Sequence, residues 1–407
     1  MSPAAVPYEL GQIRYLPLRY DSSNSEDSAT KLILTLFPDW ASGDSQIEFT
    51  RFTDGITNTL LKVVNRRPGL SKQELEKGAV LLRAYGSGTA ILIDREREVN
   101  NHELLMHHDL APELLARFEN GMLYRFVPGT PAQAKDLRDP PVLRAVARRL
   151  AHWHATLPCL YYRPSQTNGH RNGANGHRRS IDEKTIGKPS PNVWTTMQKW
   201  ILALPTETDS ERQRQILLQR ELEDIVHNLS NRPGLGHNGL VFSHCDLLCA
   251  NIIMHRPADK EAELDVSFID YEYGTPSPAA FDVANHFAEW AGYDCDYSAV
   301  PNVSQRQAFI SEYIKTYIAM SGQTSMGEEA ETRRLMEEVD VFRGVPGFYW
   351  GIWSLIQATI SEIEFDYANY AELRLGEYWA YKAERDGIRK ANGKEMPLRE
   401  KTWAHRE

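Results

Sequence analysis

The stretch Val241-Phe242-Ser243-His244-Cys245-Asp246-Leu247-Leu248-Cys249-Ala250-Asn251 decides how the rest of this 407-residue chain is read. An apolar run ends at Ser243, a polar triplet follows, and Asn251 stands five residues after Asp246. Asn251 opens a second apolar run, Ile252-Ile253-Met254, and a third, Val266-Ser267-Phe268-Ile269, ends at Asp270. Short apolar runs bounded by turn residues read as buried strands. The expectation is strand, loop, strand and returning strand, with Asp246 in the loop and Asp270 at the end of the return. A carboxylate there faces Asn251, and the two offer the hard oxygen donors that Mg2+ takes.

His-x-Asp followed by four residues and Asn is the spacing of the kinase catalytic loop, where the Asp is the base and the Asn binds metal. Phosphoryl transfer to an alcohol asks for a carboxylate at the hydroxyl, metal ligands for the triphosphate and a cation on the phosphates. Asp246, Asn251 and Asp270 are the candidate catalytic residues, with Asn251 and Asp270 as metal ligands. His244, Cys245, Cys249 and His255 share the segment, but their spacing matches no standard zinc pattern.

Upstream, residues 47–53, 59–64 and 79–85 read as strands, residues 95–107 as a charged helix, and 114–118 with 121–127 as a hairpin turning at Asn120-Gly121. That is a small antiparallel sheet with one main helix. Thr53-Asp54-Gly55-Ile56-Thr57-Asn58 lies between two of these strands, where backbone N–H groups and the Thr57 and Asn58 side chains can fold over phosphates. Arg83 sits inside the apolar run Val80-Leu81-Leu82-Arg83-Ala84-Tyr85 and needs a partner. Glu98 or Glu103 on the helix can supply one, as in the Lys–Glu pair of protein kinases. Pro128-Gly129-Thr130-Pro131 reads as a hinge, and beyond it the chain turns helical.

Residues 281–290, FDVANHFAEW, carry Asp282, Asn285, His286 and Glu289 on one face of an otherwise apolar helix. Buried polar groups need partners, so this stripe is expected to line the site. Trp350 and Trp353 share a helix face, with Tyr370 further on. Aromatic faces beside carboxylates suit an ammonium group.

The net charge of -9 argues against nucleic acid, which needs a clustered basic surface. Four cysteines are too few for a disulfide framework. The first residues lack a signal-peptide pattern, and no run reaches about 18 apolar residues, so a cytoplasmic protein without a membrane span is expected. Residues 166–191 are rich in Asn, Gly and His and are read as a disordered insertion. The expected organisation is an extension over 1–45, a nucleotide-binding lobe over 46–127, a hinge over 128–131, a helical catalytic and substrate lobe over 132–390, and a tail over 391–407.

Together these motifs resemble the choline/ethanolamine kinase family from Phe49 to Tyr378, the insertion excepted. The motifs that carry it are FSHCDLLCAN at 242–251, FIDYEY at 268–273, FDVANHFAEW at 281–290 and WGIWS at 350–354. The resemblance implies an α+β, two-lobed protein-kinase-like fold, with ATP and Mg2+ as cofactors. It implies that Gly55, Ile56, Thr57, Asn58, Arg83 and Glu98 serve the phosphates, and that Arg125, Phe126 and Val127 serve the adenine side. Asp246, Tyr273, Glu289, Trp350, Trp353 and Tyr370 would meet an amino alcohol. TDGITN at 53–58 and DLLC at 246–249 resemble the ethanolamine kinases more, since choline kinases usually carry Gln where Leu248 stands. Cys245 stands for a usual Asn, Ala250 for a usual Lys, and Asp294 for a pocket Tyr of choline kinases; Tyr293 or Tyr297 could fill that wall instead. The activity implied is phosphorylation of ethanolamine, the first step of the CDP-ethanolamine route to phosphatidylethanolamine. Choline kinase, or a dual kinase, is the alternative. More distant ones are an aminoglycoside-type phosphotransferase and a nucleotide-binding pseudokinase. A homodimer is compatible with the sequence, which leaves the oligomeric state open.

Overall fold

The computed structural model describes residues 13–52, 58–86, 88–159, 181, 188–236, 238–257, 259, 262–322, 327–361 and 363–406. Most of the insertion read at 166–191 therefore lies outside the described residues. The chain divides into two units, Met1–Thr130 and Pro131–Glu407.

The first unit is built on a six-stranded sheet in the order β1-β5-β6-β4-β3-β2. Its strands are Tyr15–Leu16 (β1), Gln46–Phe52 (β2), Asn58–Arg66 (β3), Val80–Tyr85 (β4), Leu114–Phe118 (β5) and Gly121–Arg125 (β6). The sheet is mixed rather than antiparallel throughout, because β1 runs parallel to β5. Ser25–Leu36 (α1) covers it. Leu16, Tyr20, Leu32, Ile33 and Trp40 join Leu61, Val63, Leu82 and Phe118 in one core. Residues 13–40 thus complete this unit's hydrophobic layer, with Asn120 exchanging two hydrogen bonds with the Tyr20 backbone. Lys72–Gly78 (α2) starts with a capping box between Ser71 and Glu74, an S-x-x-E signal present in the sequence. Arg95–His107 (α3) starts at Asp94, whose carboxylate accepts from Arg97 N. Gly121 is required in the hairpin: a Cβ there would lie 2.1 Å from the Arg83 carbonyl oxygen.

The second unit holds the short strands Val241–Ser243 (β8), Ile252–His255 (β9), Asp265–Phe268 (β10) and Thr275–Ser277 (β11), with β7 (Thr130–Pro131) at the unit boundary. β9 pairs with β10 and β8 with β11, both antiparallel. The helices are Pro140–Thr156 (α4), Val193–Leu202 (α5), Asp209–Leu229 (α6), Ala279–Glu289 (α7), Val303–Ser321 (α8), Glu328–Phe342 (α9), Val345–Ile360 (α10), Tyr367–Arg385 (α11), Ile388–Ala391 (α12) and Leu398–Ala404 (α13). Close packing of α10 on α11 follows from glycines on one face. A Cβ at Gly347 would meet the Arg374 carbonyl at 2.5 Å, and one at Gly351 would meet Leu375 at 2.6 Å. The last residues belong to this core too. Trp403 is buried, stacks under Arg306 at 3.9 Å and donates to Asp340. Among the described residues, no helix is long and apolar enough to cross a membrane.

Candidate active site

In the first unit, Arg83 on β4 meets Glu98 on α3, Nε to Oε1 at 3.1 Å, and both side chains are buried. The partner is Glu98, which also takes Arg95 at 2.8 Å; Arg95 lies over the Tyr85 ring. Of the residues expected at the phosphates, Gly55, Ile56 and Thr57 lie outside the described residues, and Asn58 opens β3 opposite Tyr85. Arg125 is held to Glu113 at 3.2 Å and lies over Phe37, so its charge serves the local packing of this unit. Phe126 N donates to Ala79 O, and its ring stacks on Phe52 and receives the Lys62 ammonium at 3.8 Å. Val127 follows β6 outside any strand.

In the second unit, the loop after β8 is held almost wholly by α7. Asp282 accepts from His244 N at 3.0 Å, from Cys245 N at 2.8 Å and from the His154 ring at 3.0 Å. Asn285 donates to Cys245 O at 2.8 Å, and His286 binds Leu247 O at 2.9 Å. Cys245 has φ 61°, a left-handed backbone that costs an L side chain about 1 to 2 kcal/mol. Its N–H and C=O are both clamped by α7, which offsets that cost. The usual Asn at this position tolerates such a backbone better.

Burial acts to raise Asp282, but His154, His244 and the loop N–H groups outweigh it and hold the carboxyl below its ordinary value. His244 joins the loop to the segment that ends β10: one ring nitrogen meets Ile269 O at 3.0 Å, and the other accepts from Asp246 N at 3.3 Å. Only a neutral imidazole can donate and accept at once. Burial pushes His244 down to about 4, which keeps it neutral.

Asn251 donates to Asp246 O at 2.8 Å and Asp246 Oδ2 at 3.3 Å, while Ile269 N donates to Asn251 O. The loop, the root of β9 and the end of β10 are thereby one construction. Asp270 has φ 65°. Burial, then the charges of Asp270, Glu289 and Glu272, raise Asp246 well above the carboxylate range. Mutually repelling carboxylates beside an Asn carbonyl suit a hard divalent cation. Asn251 gives its amide N–H to Asp246 and keeps the oxygen, the atom a cation takes.

The aromatic wall is assembled from separate helices. Trp353 donates to Tyr273 OH at 2.8 Å, Trp350 donates to Asn285 at 2.8 Å, and Tyr273 meets Trp350 edge to face at 5.6 Å. Tyr370 meets Tyr293 at 6.0 Å and Phe365 at 5.6 Å. Glu289 receives Arg374 on Oε1 at 3.1 Å; Oε2 has no hydrogen bond among the described residues.

The polar stripe on α7 has a divided role: Asp282, Asn285 and His286 hold the loop backbone, and Glu289 is its one member turned to Arg374. Asp294 is exposed, and Tyr293 joins the aromatic group, so Asp294 adds no carboxylate to that wall. Arg374, Glu272 and the loop-holding role of Asp282 were missed from the sequence. Only the i, i+3, i+4 polar spacing on α7 signalled any of them.

A mixed-sheet unit with a buried Arg–Glu pair, followed by a helical unit carrying this Asp–Asn–Asp loop, defines a phosphotransferase of the protein-kinase-like class. The profile of the choline/ethanolamine kinase family matches residues 49–379, and the chain belongs to that family. Ethanolamine kinase 1 of Homo sapiens is 33% identical over 368 residues, spanning 88% of this chain and 72% of its own. Among solved structures, the Plasmodium vivax ethanolamine kinase aligns with TM-score 0.63 and 25% identity, covering 87% of this chain and 89% of its own. The choline kinase of Cryptosporidium parvum shares the fold, with TM-score 0.59, 21% identity and coverages of 90% and 98%.

Proposed function

We propose that the protein transfers the terminal phosphoryl group of ATP to the hydroxyl of ethanolamine, giving phosphoethanolamine and ADP. The observation that carries this reading is Glu289: a buried carboxylate with one oxygen tied to Arg374 and the other without a bond among the described residues, in the same electrostatic group as Asp246. A primary ammonium brings three N–H donors and suits such an oxygen. Tyr273, Trp350, Trp353 and Tyr370 supply faces that attract a cation. The relatives named ethanolamine kinases support the same substrate.

Asp246 orients the alcohol and takes its proton. Burial and the charges of Asp270, Glu289 and Glu272 raise its pKa, and a cation held beside it would lower that value and keep it ionised to accept the proton. Asn251 and Asp270 would hold Mg2+, which supplies positive charge to the triphosphate. Arg83, fixed by Glu98, adds a preorganised positive charge for the phosphates, alongside Gly55, Ile56, Thr57 and Asn58. Phe126 and Val127 serve the adenine side, and Arg125 braces that segment.

One observation favours a second reading. The Tyr293–Tyr370–Phe365 group is an aromatic wall of the kind a trimethylammonium prefers, so choline is the rival substrate. Assay of both alcohols at equal concentration with Mg-ATP decides between them. A higher kcat/KM for ethanolamine is expected; a higher value for choline overturns the narrower assignment.

A further inference from the structure

Six charged side chains run in alternation from Glu289 to the last helix of the chain. Arg374 bonds Glu289 at 3.1 Å, and its Nε lies 3.6 Å from Glu377 Oε1. Glu377 Oε2 lies 3.8 Å from Arg399 Nε, Arg399 bonds Glu400 at 3.0 Å, and Arg343 bonds the other oxygen of Glu400 at 3.0 Å. Glu289, Arg374, Glu377, Arg399 and Glu400 are all buried. They come from α7, α11 and α13. Arg399 and Glu400 lie beyond the 49–379 segment that the family profile covers.

Stability alone does not explain such a chain. Burying ions costs several kcal/mol each, and apolar residues of similar volume often serve a core as well or better. The geometry offers a different reason. An Arg beside a carboxylate tends to grip both oxygens with its planar fork. Arg374 does not, because it is drawn three ways: one terminal nitrogen to Glu289, the other to Tyr370 OH at 3.3 Å, and Nε towards Glu377. Glu377 in turn is kept from closing on Arg374 by Arg399. Arg399 is fixed by Glu400 and by the Arg343 carbonyl at 2.6 Å.

We propose that Arg374, Glu377 and Arg399 are positioning residues for amine recognition, through which the C-terminal helix α13 keeps Glu289 charged and one of its oxygens open to the substrate ammonium. The proposal rests on the assignment of Glu289 to the amine. Without Arg399, Glu377 draws Arg374 away and Glu289 loses its share of the cation. Burial already pushes the Glu289 carboxyl above its ordinary value, and Arg374 is what opposes that. Without the Glu377 charge, Arg374 is released to close on both oxygens of Glu289. Either break weakens the hold on the ammonium and leaves the chemistry at Asp246 in place.

The test is steady-state kinetics on the full chain carrying Arg399→Met, Glu377→Gln, Arg399→Lys and Glu289→Gln, with Arg399→Met and Glu377→Gln repeated in the Glu289→Gln background. Arg399→Met and Glu377→Gln should each raise KM for ethanolamine about three- to tenfold, the range of coupling between residues in one network. KM for ATP and kcat should hold, and Arg399→Lys should recover most of the loss. In the Glu289→Gln background neither change should raise KM further. An unchanged KM, a parallel fall in kcat, or effects that multiply with that of Glu289→Gln overturn the proposal. If Arg399→Met fails to fold, the isosteric Glu377→Gln carries the test. If Glu289→Gln alone leaves KM for ethanolamine unchanged, the assignment of Glu289 falls and takes this proposal with it.

Discussion

The two ends of helix α7 carry the same kinds of side chain on the same face and do opposite things. Ahead of its last residue, Asp282, Asn285 and His286 give their polar atoms to the backbone of residues 244–247, to His154 and to indole N–H groups. At its C-terminus, Glu289 has, among the described residues, one oxygen bonded and one not. A buried polar group with every partner supplied by the chain is rigid and makes a scaffold. A buried polar group left half-satisfied is costly in the empty protein, and a ligand that completes it recovers the cost. The same helix therefore fixes the loop of Asp246 with its satisfied groups and presents, in Glu289, the oxygen proposed to meet the amine.

That contrast breaks most severely at its satisfied end. Asp282→Ala removes one acceptor from three buried donors. It should cost about 3 to 5 kcal/mol of stability, as breaking buried charge pairs does. Urea unfolding measures it, and a loss under about 1 kcal/mol would mean that the loop is held by something else. The loop's own chemistry comes next. Asp246→Asn should keep ATP binding and lose at least about 100-fold in kcat, the usual worth of base catalysis. Near-normal turnover removes Asp246 from that role.

At the half-satisfied end, Glu289→Gln should raise KM for ethanolamine about ten- to hundredfold, the worth of a hydrogen bond to a charged group. The effect on choline should be smaller, because a trimethylammonium brings no N–H donor. Equal losses for both alcohols would make Glu289 a purely structural ion.

The smallest effect concerns buried histidines satisfied in the neutral form. Burial pushes His102, His244 and His286 each down to about 4. An unfolded His titrates near 6.5, so below that value the unfolded chain binds protons that the folded one refuses. Their stabilising contribution is complete above about 6.5 and is lost as pH falls towards 4. His102 tests this away from the loop, since its ring meets Pro112 O at 2.9 Å within the first unit. The stability advantage of the parent over His102→Gln should be about 1.2 kcal/mol smaller at pH 5.5 than at pH 7. A gap that does not change with pH refutes the neutral assignment.

How much was legible beforehand varies by region. β4 was clear from its apolar run and α3 as a charged helix, and the charge of Arg83 inside β4 pointed to Glu98 or Glu103 because a buried guanidinium needs a carboxylate; the fold pairs it with Glu98. α2 was missed although its capping box stands in the sequence at Ser71 and Glu74. β1 was beyond reach: two residues carry no periodicity, and its parallel partner β5 lies about a hundred residues away. On α7, spacing revealed a polar stripe but not which members would meet the loop and which the open site. Asp294 stands where choline kinases carry a pocket Tyr, yet it is exposed, and Tyr293 joins the aromatic group instead.

What the sequence by itself determined is the identity and order of the groups proposed to react. Asp246 sits in a short loop, and Asn251 and Asp270 flank the paired strands β9 and β10, where local spacing fixes geometry. The tertiary structure alone decided how the site's electrostatics are set. Arg374, and behind it Glu377, Arg399 and Glu400, come to Glu289 from helices far apart in the chain, and Gly347 and Gly351 let α10 approach the helix α11 that carries Arg374 and Glu377. Electrostatic interaction depends on distance in space and on burial, and neither is written in the spacing of residues along a chain.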